Sequence, residues 1–284
     1  GEQESLPSDG LYKSDNGGVS WQQVLPIVNN DITPYAVSDI EINSNNTFFV
    51  GTMKNINGNG GSYILKSETG DVDDWSIYSE INNLILDDDE YNIPGRVAIS
   101  SSINNPEVLY AVFGSGFINN YGFNYSYGNH IVKSEDEGNT WNIMNTPNDY
   151  DNHTWATLAW HALTIEIDPL NENVLYVGGL DLHKSTDSGN SWEKLSDWSL
   201  MYNGGGNEYV HADIHSITFK NNNSNEFAVT SDGGIFYTNN ATSSNITFSE
   251  HNKGYNTLQY YTGDIHPSTD VLAFIGGLQD NGTL

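Results

Sequence analysis

The sequence predicts an all-β protein built from four-stranded sheets set side by side as the blades of a propeller. Three observations predict it. A short phrase ending in tryptophan recurs along the chain. Its copies stand about 50 residues apart, the length of one four-stranded blade. Between the copies, short apolar runs flank Asn- or Gly-containing turns, the pattern of hairpins.

The clearest copy is Lys184–Trp192, KSTDSGNSW, which sets the pattern Ser-x-Asp-x-Gly-x-(Ser/Thr)-Trp through Ser185, Asp187, Gly189 and Trp192. KSEDEGNTW repeats it with Ser134, Asp136, Gly138 and Trp141. KSDNGGVSW carries Ser14, Gly18 and Trp21, with Asn16 in the acid's place. A looser copy runs from Ser67 to Trp75 with one extra residue and no Asp where one is expected, and a decayed fifth starts at Thr238 with Phe248 replacing Trp. The opening residues, 14, 67, 134, 185 and 238, are 53, 67, 51 and 53 apart. In each copy the acid can accept backbone N–H groups of the turn, Gly supplies a positive φ, and Trp buries its ring to anchor the outgoing strand.

Taken in order, residues 1–9 are a polar, irregular lead-in. Residues 10–27 supply two strands around the first corner, an outer half-blade. Complete blades are expected at 37–80, 95–146, 160–198 and 211–250, and an inner half-blade at 259–284. Two completions are open: the halves pair to close a five-bladed ring, or the chain is part of a larger ring. The larger ring is the expectation.

Three features within these blades invite a functional reading. Asp87, Asp88, Asp89 and Glu90 form an acidic run that either binds Ca²⁺ or is a solvated loop. Residues 114–130 form an insertion, which accounts for the one long interval. In it Tyr121, Phe123, Tyr125 and Tyr127 alternate, as a sugar-stacking surface or as an extended strand with one buried side. In HADIH, strand alternation would put His211, Asp213 and His215 on one face, for metal binding, acid–base chemistry or structural hydrogen bonding across a central channel.

Composition narrows the partners. Against 37 acids stand 9 Lys and Arg, a net charge of −28. Such a surface repels nucleic acid and anionic membranes and favours cations, Ca²⁺ above all, and neutral glycans. There is no cysteine, so no disulfide framework or thiol chemistry is available. No apolar run approaches the length of a membrane span, and no signal peptide is visible at Gly1.

At the tryptophan-ended corners the chain resembles the Asp-box, or BNR, repeat of β-propellers such as sialidases, sortilin-type receptors and xyloglucan-hydrolysing endoglucanases. In those families the box is structural, and the resemblance implies that role here. From about Lys133 onward the phrases GLDLHKSTDSGNSW, HADIH, SDGGIF and LQYYTGDIHP…GGLQDNGT are similar to those of secreted propellers, many from Bacteroidetes. Those proteins are often glycosidase-like, sortilin-like, or cargo of type IX secretion. The resemblance thus implies a secreted bacterial protein at the cell surface. Sialidases clamp their substrate with three arginines, whereas this chain has one, Arg96. Xyloglucan hydrolysis needs two carboxylates, for which Asp213, Asp232, Asp264 and Asp280 are candidates near the central face. The expected function is non-catalytic recognition of a glycan or protein partner; the alternative is a glycoside hydrolase.

Overall fold

The computed structural model describes residues 9–147, 155–254, 260–265, 274–278 and 282–283. By contact density the chain divides into two units, 1–251 and 252–284. The first unit opens on a hairpin of β1 (Tyr12–Lys13) and β2 (Gln22–Gln23). Four antiparallel four-stranded sheets follow in chain order.

The first blade comprises β3 (Ala36–Ile42), β4 (Phe48–Met53), β5 (Ile64–Ser67) and β6 (Ser76–Tyr78). After it comes a short helix, α1 (Glu80–Leu86). The second blade is β7 (Ile93–Ser101), β8 (Leu109–Ile118), β9 (Asn124–Ser134) and β10 (Asn142–Met144). The third is β11 (Thr164–Ile167), β12 (Leu175–Gly178), β13 (Leu182–Ser185) and β14 (Glu193–Lys194). The fourth is β15 (Ile214–Phe219), β16 (Phe227–Ser231), β17 (Gly234–Thr238) and β18 (Ser249–Glu250). The second unit contains a three-stranded sheet of β19 (Tyr260–Ile265), β20 (Phe274–Leu278) and β21 (Gly282–Thr283).

Apolar residues between adjacent blades hold the first unit together. Phe49, Ile64, Val97 and Phe113 join the first blade to the second. Val112, Ile131, Trp155 and Leu175 join the second to the third, and Tyr176, Ile214 and Phe227 join the third to the fourth. The innermost strands β3, β7, β11 and β15 pack in succession. The repeat pattern does not anticipate α1. It forms because Ile81 and Ile85, one turn apart, both enter the cluster between the first two blades. Among the described residues no helix is long and apolar enough to cross a membrane.

The recurring phrase folds into one corner repeatedly. At Ser134 the hydroxyl accepts from Gly138 N (2.8 Å) and donates to Asp136 Oδ1 (2.9 Å), which accepts from Thr140 N (2.8 Å). Ser185, Asp187, Gly189 and Ser191 repeat these bonds. So do Ser14, Asn16, Gly18 and Ser20, and Asn240 plays the acid's part beside Thr238. The corner at Ser67, which lacks an acid in the expected place, recruits one from its far side. Asp74 Oδ2 accepts from Ser67 Oγ (2.8 Å) and Thr69 N (2.9 Å).

The tryptophans do not all bury their rings, contrary to expectation. Trp141 and Trp192 pack on the sheet before their own. Trp141 is 8% exposed beside Tyr78 of the first blade, and Trp192 donates Nε1–H to Asn145 O after the second. Trp21, on the first hairpin, has no earlier sheet among the described residues and is 63% exposed.

Candidate functional site

In an antiparallel blade, the start of the first strand and the end of the second lie at one edge of the sheet. The tryptophan corners lie at the opposite edge. The edge away from the corners, called the top face below, receives the connections between blades and the β4–β5, β8–β9, β12–β13 and β16–β17 turns. Residues from different blades converge there.

The convergence begins with a defect in pairing. On β15, Ile214 pairs with Ser231 and Ser216 with Thr230, so His215 is the extra residue of a β-bulge. A bulge re-aims the side chain it carries. His215 Nε2 donates to Asp232 Oδ1 at 2.6 Å. Asp232 sits in the turn after β16. From the segment before β11, His161 Nε2 reaches both oxygens of the same carboxylate at 3.1 Å. The two imidazoles meet edge to face, 4.8 Å apart at 85°. The three donor groups lie within 4.8 Å of one another, the one such cluster of His, Asp and Glu among the described residues.

Strand alternation therefore fails for HADIH. Only His215 of the three belongs to β15, and His211 and Asp213 precede it in irregular backbone. Asp213 adopts a left-handed φ of 63°. That conformation is open to Asp because its short side chain tolerates it. His211 packs over Gly233, where a Cβ would meet its Cγ at 2.3 Å, so only glycine fits that turn. Asp213 Oδ1 is buried with no hydrogen-bond partner. Burial and the neighbouring Asp232 charge push its carboxyl up, against His161, His211 and His215. Burial also works to raise Asp232, but the bonds from His215 and His161 outweigh it and hold that carboxyl below its ordinary range.

The second blade carries an aromatic surface. The insertion is not a loop: β8 and β9 extend into a long hairpin whose tip is 119–123. Asn119 Oδ1 shapes the tip by accepting from Tyr121 N and Phe123 N. Tyr121 and Phe123 are therefore tip residues, not strand residues. Tyr125 and Tyr127 share a face of β9, and Phe117 pairs with Tyr125 across the hairpin. The Phe117, Tyr125 and Tyr127 rings are parallel to within 14°, with centroids 5.3 to 6.4 Å apart. Tyr91 meets Phe117 and Tyr127 edge-on. Tyr125 remains 40% exposed. Below the hairpin, Met53, Lys54, Ile93, Pro94, Arg96 and Trp160 line a cleft of about 130 Å³. The exposed Trp160 ring touches His161, at 5.3 Å between centroids. Arg96 Nη1 donates to His161 O at 2.9 Å, tying the second blade to the third.

The innermost strands carry a further set of acids. Asp39 accepts from Ile99 N and Glu41 from Ser101 N, bridging β3 to β7. Burial raises both carboxyls. Glu166 on β11 is pushed up to about 8 by burial and by the charges of Glu41 and Asp39.

The remaining sequence-derived candidates lie elsewhere. Asp87 caps the C-terminus of α1. Asp88 Oδ1 accepts from Glu90 N and Tyr91 N, which holds its carboxyl low. With Asp88 committed to its own turn, Asp87, Asp88 and Asp89 do not form a converging ligand set. Asp264 lies exposed on β19 of the second unit. Asp280 lies outside the described residues. Sequence reading missed His161, Trp160, Phe117 and Tyr91. Only the WHA preceding an inner strand hinted at the first two.

No family model matches the sequence, and no curated protein matches it. Among solved structures the chain is similar to an ancestral GH74 enzyme, with a TM-score of 0.56 and 18% identity over 96% of this chain and 32% of that one. It is also similar to the GH74 enzyme of Niastella koreensis, with a TM-score of 0.50 and 17% identity over 87% of this chain and 34% of that one. The fold is a β-propeller. The chain spans about a third of the length of these structures. Likeness at such identities concerns fold, and propellers host unrelated functions, so function rests on the top face itself.

Proposed function

We propose that this β-propeller is a recognition module that binds a neutral glycan on its top face, at or outside a bacterial cell surface. The observation that carries this reading is the run of parallel, part-exposed rings Phe117, Tyr125 and Tyr127. A surface-facing aromatic cluster on a rigid hairpin marks a contact site, since burying those rings against a partner releases ordered water at little cost in side-chain entropy. Apolar faces of sugar rings suit such rings. The net charge of −28 selects against anionic polymers. Assignment to the Asp-box class, drawn from the corner bonds, belongs to the same proposal.

Affinity electrophoresis against neutral and anionic plant and algal polysaccharides tests it. At least one neutral polymer should retard the protein. Tyr125→Ala should weaken retention roughly three- to tenfold, the value of one aromatic contact, without altering the circular dichroism. Absence of retardation, or a Tyr125→Ala variant that binds equally well, overturns the proposal. Release of reducing ends that is lost in Asp213→Asn would instead make the chain a glycoside hydrolase.

A further inference from the structure

We propose that His161, His215 and Asp232 form a binding site for one zinc ion, independent of glycan binding. The donor set comes from three separate segments: the lead into β11, the bulge of β15, and the turn after β16. The three side chains are part-exposed, so the cluster is reachable from solvent.

The donor chemistry narrows the ion to those that nitrogen ligands hold. Two imidazole nitrogens and one carboxylate oxygen suit zinc, whereas calcium and magnesium demand oxygen. The spacing fits as well. Ligands at about 2.0–2.1 Å from a tetrahedral zinc stand roughly 3.4 Å from one another. The present Nε2–carboxylate separations are 2.6 and 3.1 Å, so those pairs open by less than an ångström, while the two imidazoles, whose donor atoms lie within 4.8 Å, close towards one another.

An independent observation points the same way. Asp213 Oδ1 is buried without a donor, within electrostatic reach of Asp232, His161 and His215. Asp232 N donates to Asp213 O at 3.3 Å, so the two acids are held together by backbone. A buried oxygen with no partner costs free energy. A divalent ion beside it neutralises both acids, and a water in the fourth position supplies the hydrogen bond that Asp213 lacks. The three-ligand arrangement with an open position is that of a reactive zinc site rather than a closed structural one.

The experiment is calorimetric titration of zinc chloride into the chelator-treated full chain, with a thermal melt at each end point. Wild type should bind one equivalent and melt at higher temperature with zinc. Asp232→Asn and His215→Gln should each lose at least about a hundredfold in affinity, the upper end of what removing even an outer partner costs. Asp213→Asn should lose about tenfold. His251→Gln, outside the cluster, should bind as wild type does. Tyr125→Ala should keep zinc while losing glycan, so the two proposals fail separately. Absence of stoichiometric zinc binding overturns the site, as does uptake that Asp232→Asn leaves unchanged. Binding of calcium in preference to zinc overturns the assignment to nitrogen ligands. A melt of metal-free Asp232→Asn close to that of metal-free wild type establishes that lost binding is not lost folding.

Discussion

The two edges of the blades use the same residue types in opposite ways. At the corners, the acid of the recurring phrase is satisfied within a few residues: Asp136 by Ser134 and Thr140, Asp187 by Ser185 and Ser191. At the top face and along the innermost strands, partners come from other blades. His161 meets Asp232 across 71 residues, and Asp39 meets Ile99 across 60. The bonds within the phrase therefore form with the hairpin, whereas top-face groups acquire their surroundings only once blades have packed. Function can change at the top face without disturbing the repeat.

The strongest test of that division is a top-face residue with a structural duty. Trp155 lies in the connection between the second and third blades, 1% exposed, with Nε1 donating to Gly128 O at 3.0 Å. Trp155→Ala should cost about 3–5 kcal/mol, as for large-to-small changes in a packed core. Urea denaturation measures it. A cost under about 1 kcal/mol would mean that the top-face connections lie loosely on the blades.

A smaller effect is expected at the corners. Gly138 has φ 76°, and a Cβ there would strike Phe49 of the preceding blade at 2.7 Å. Gly122, in the hairpin tip, has φ 83° and open space around it. Each Gly→Ala change incurs about 1–2 kcal/mol of left-handed strain. Gly138→Ala should cost more than Gly122→Ala, and the difference measures the contact between corner and blade. Equal costs would show that the corner does not bear on its neighbour.

Acids at the corners and acids on the innermost strands should also answer pH in opposite directions. Hydrogen bonds from Ser191 and Ser185 lower Asp187, and Thr69 and Ser67 lower Asp74. Such groups stabilise the fold above their ordinary value of 3.8, and that contribution is lost as pH falls from it through their lowered folded-state values. Glu166, raised from 4.5 to about 8, holds its proton in the folded chain when the unfolded chain has released it. Its contribution is greatest below pH 4.5 and is lost as pH rises towards 8. Asp39 and Glu41 act in the same sense. The slope is at most about 1.4 kcal/mol per pH unit for each proton. Urea midpoints between pH 4.5 and 8.5 should fall with pH in wild type and fall less in Glu166→Gln; an unchanged slope would remove Glu166 as the source.

The same division explains what the sequence disclosed. The corners were legible because Ser, Asp, Gly and Trp act on each other within one hairpin, so a repeated phrase is a repeated structure. Even the degenerate corner at Ser67 keeps an acid, though Asp74 supplies it from the other side, a swap that spacing alone does not reveal. The histidine cluster was half legible. HADIH flagged His215, but strand alternation cannot foresee a bulge or a left-handed Asp213, and it does not bring in Asp232 or His161. His161, 54 residues upstream of His215, becomes adjacent only through packing of the third blade on the fourth. The aromatic alternation at 121–127 was visible, yet the turn set by Asn119 removes two of its four rings from the strand.

That removal gives the finest test of the comparison. Tyr121, at the hairpin tip, is 87% exposed and takes no part in the parallel run, whereas Tyr125 stacks on both Phe117 and Tyr127. Tyr121→Ala should shift stability by no more than about 0.5 kcal/mol, as at other exposed positions without special contacts. It should leave glycan retention closer to wild type than Tyr125→Ala does. A ligand that lies along the ordered rings gains little from a ring at the tip, because the tip must be immobilised before it contributes. If Tyr121→Ala proves the more damaging of the two, the ligand is gripped by the tip, and recognition depends on the loop rather than on the surface the strands hold rigid.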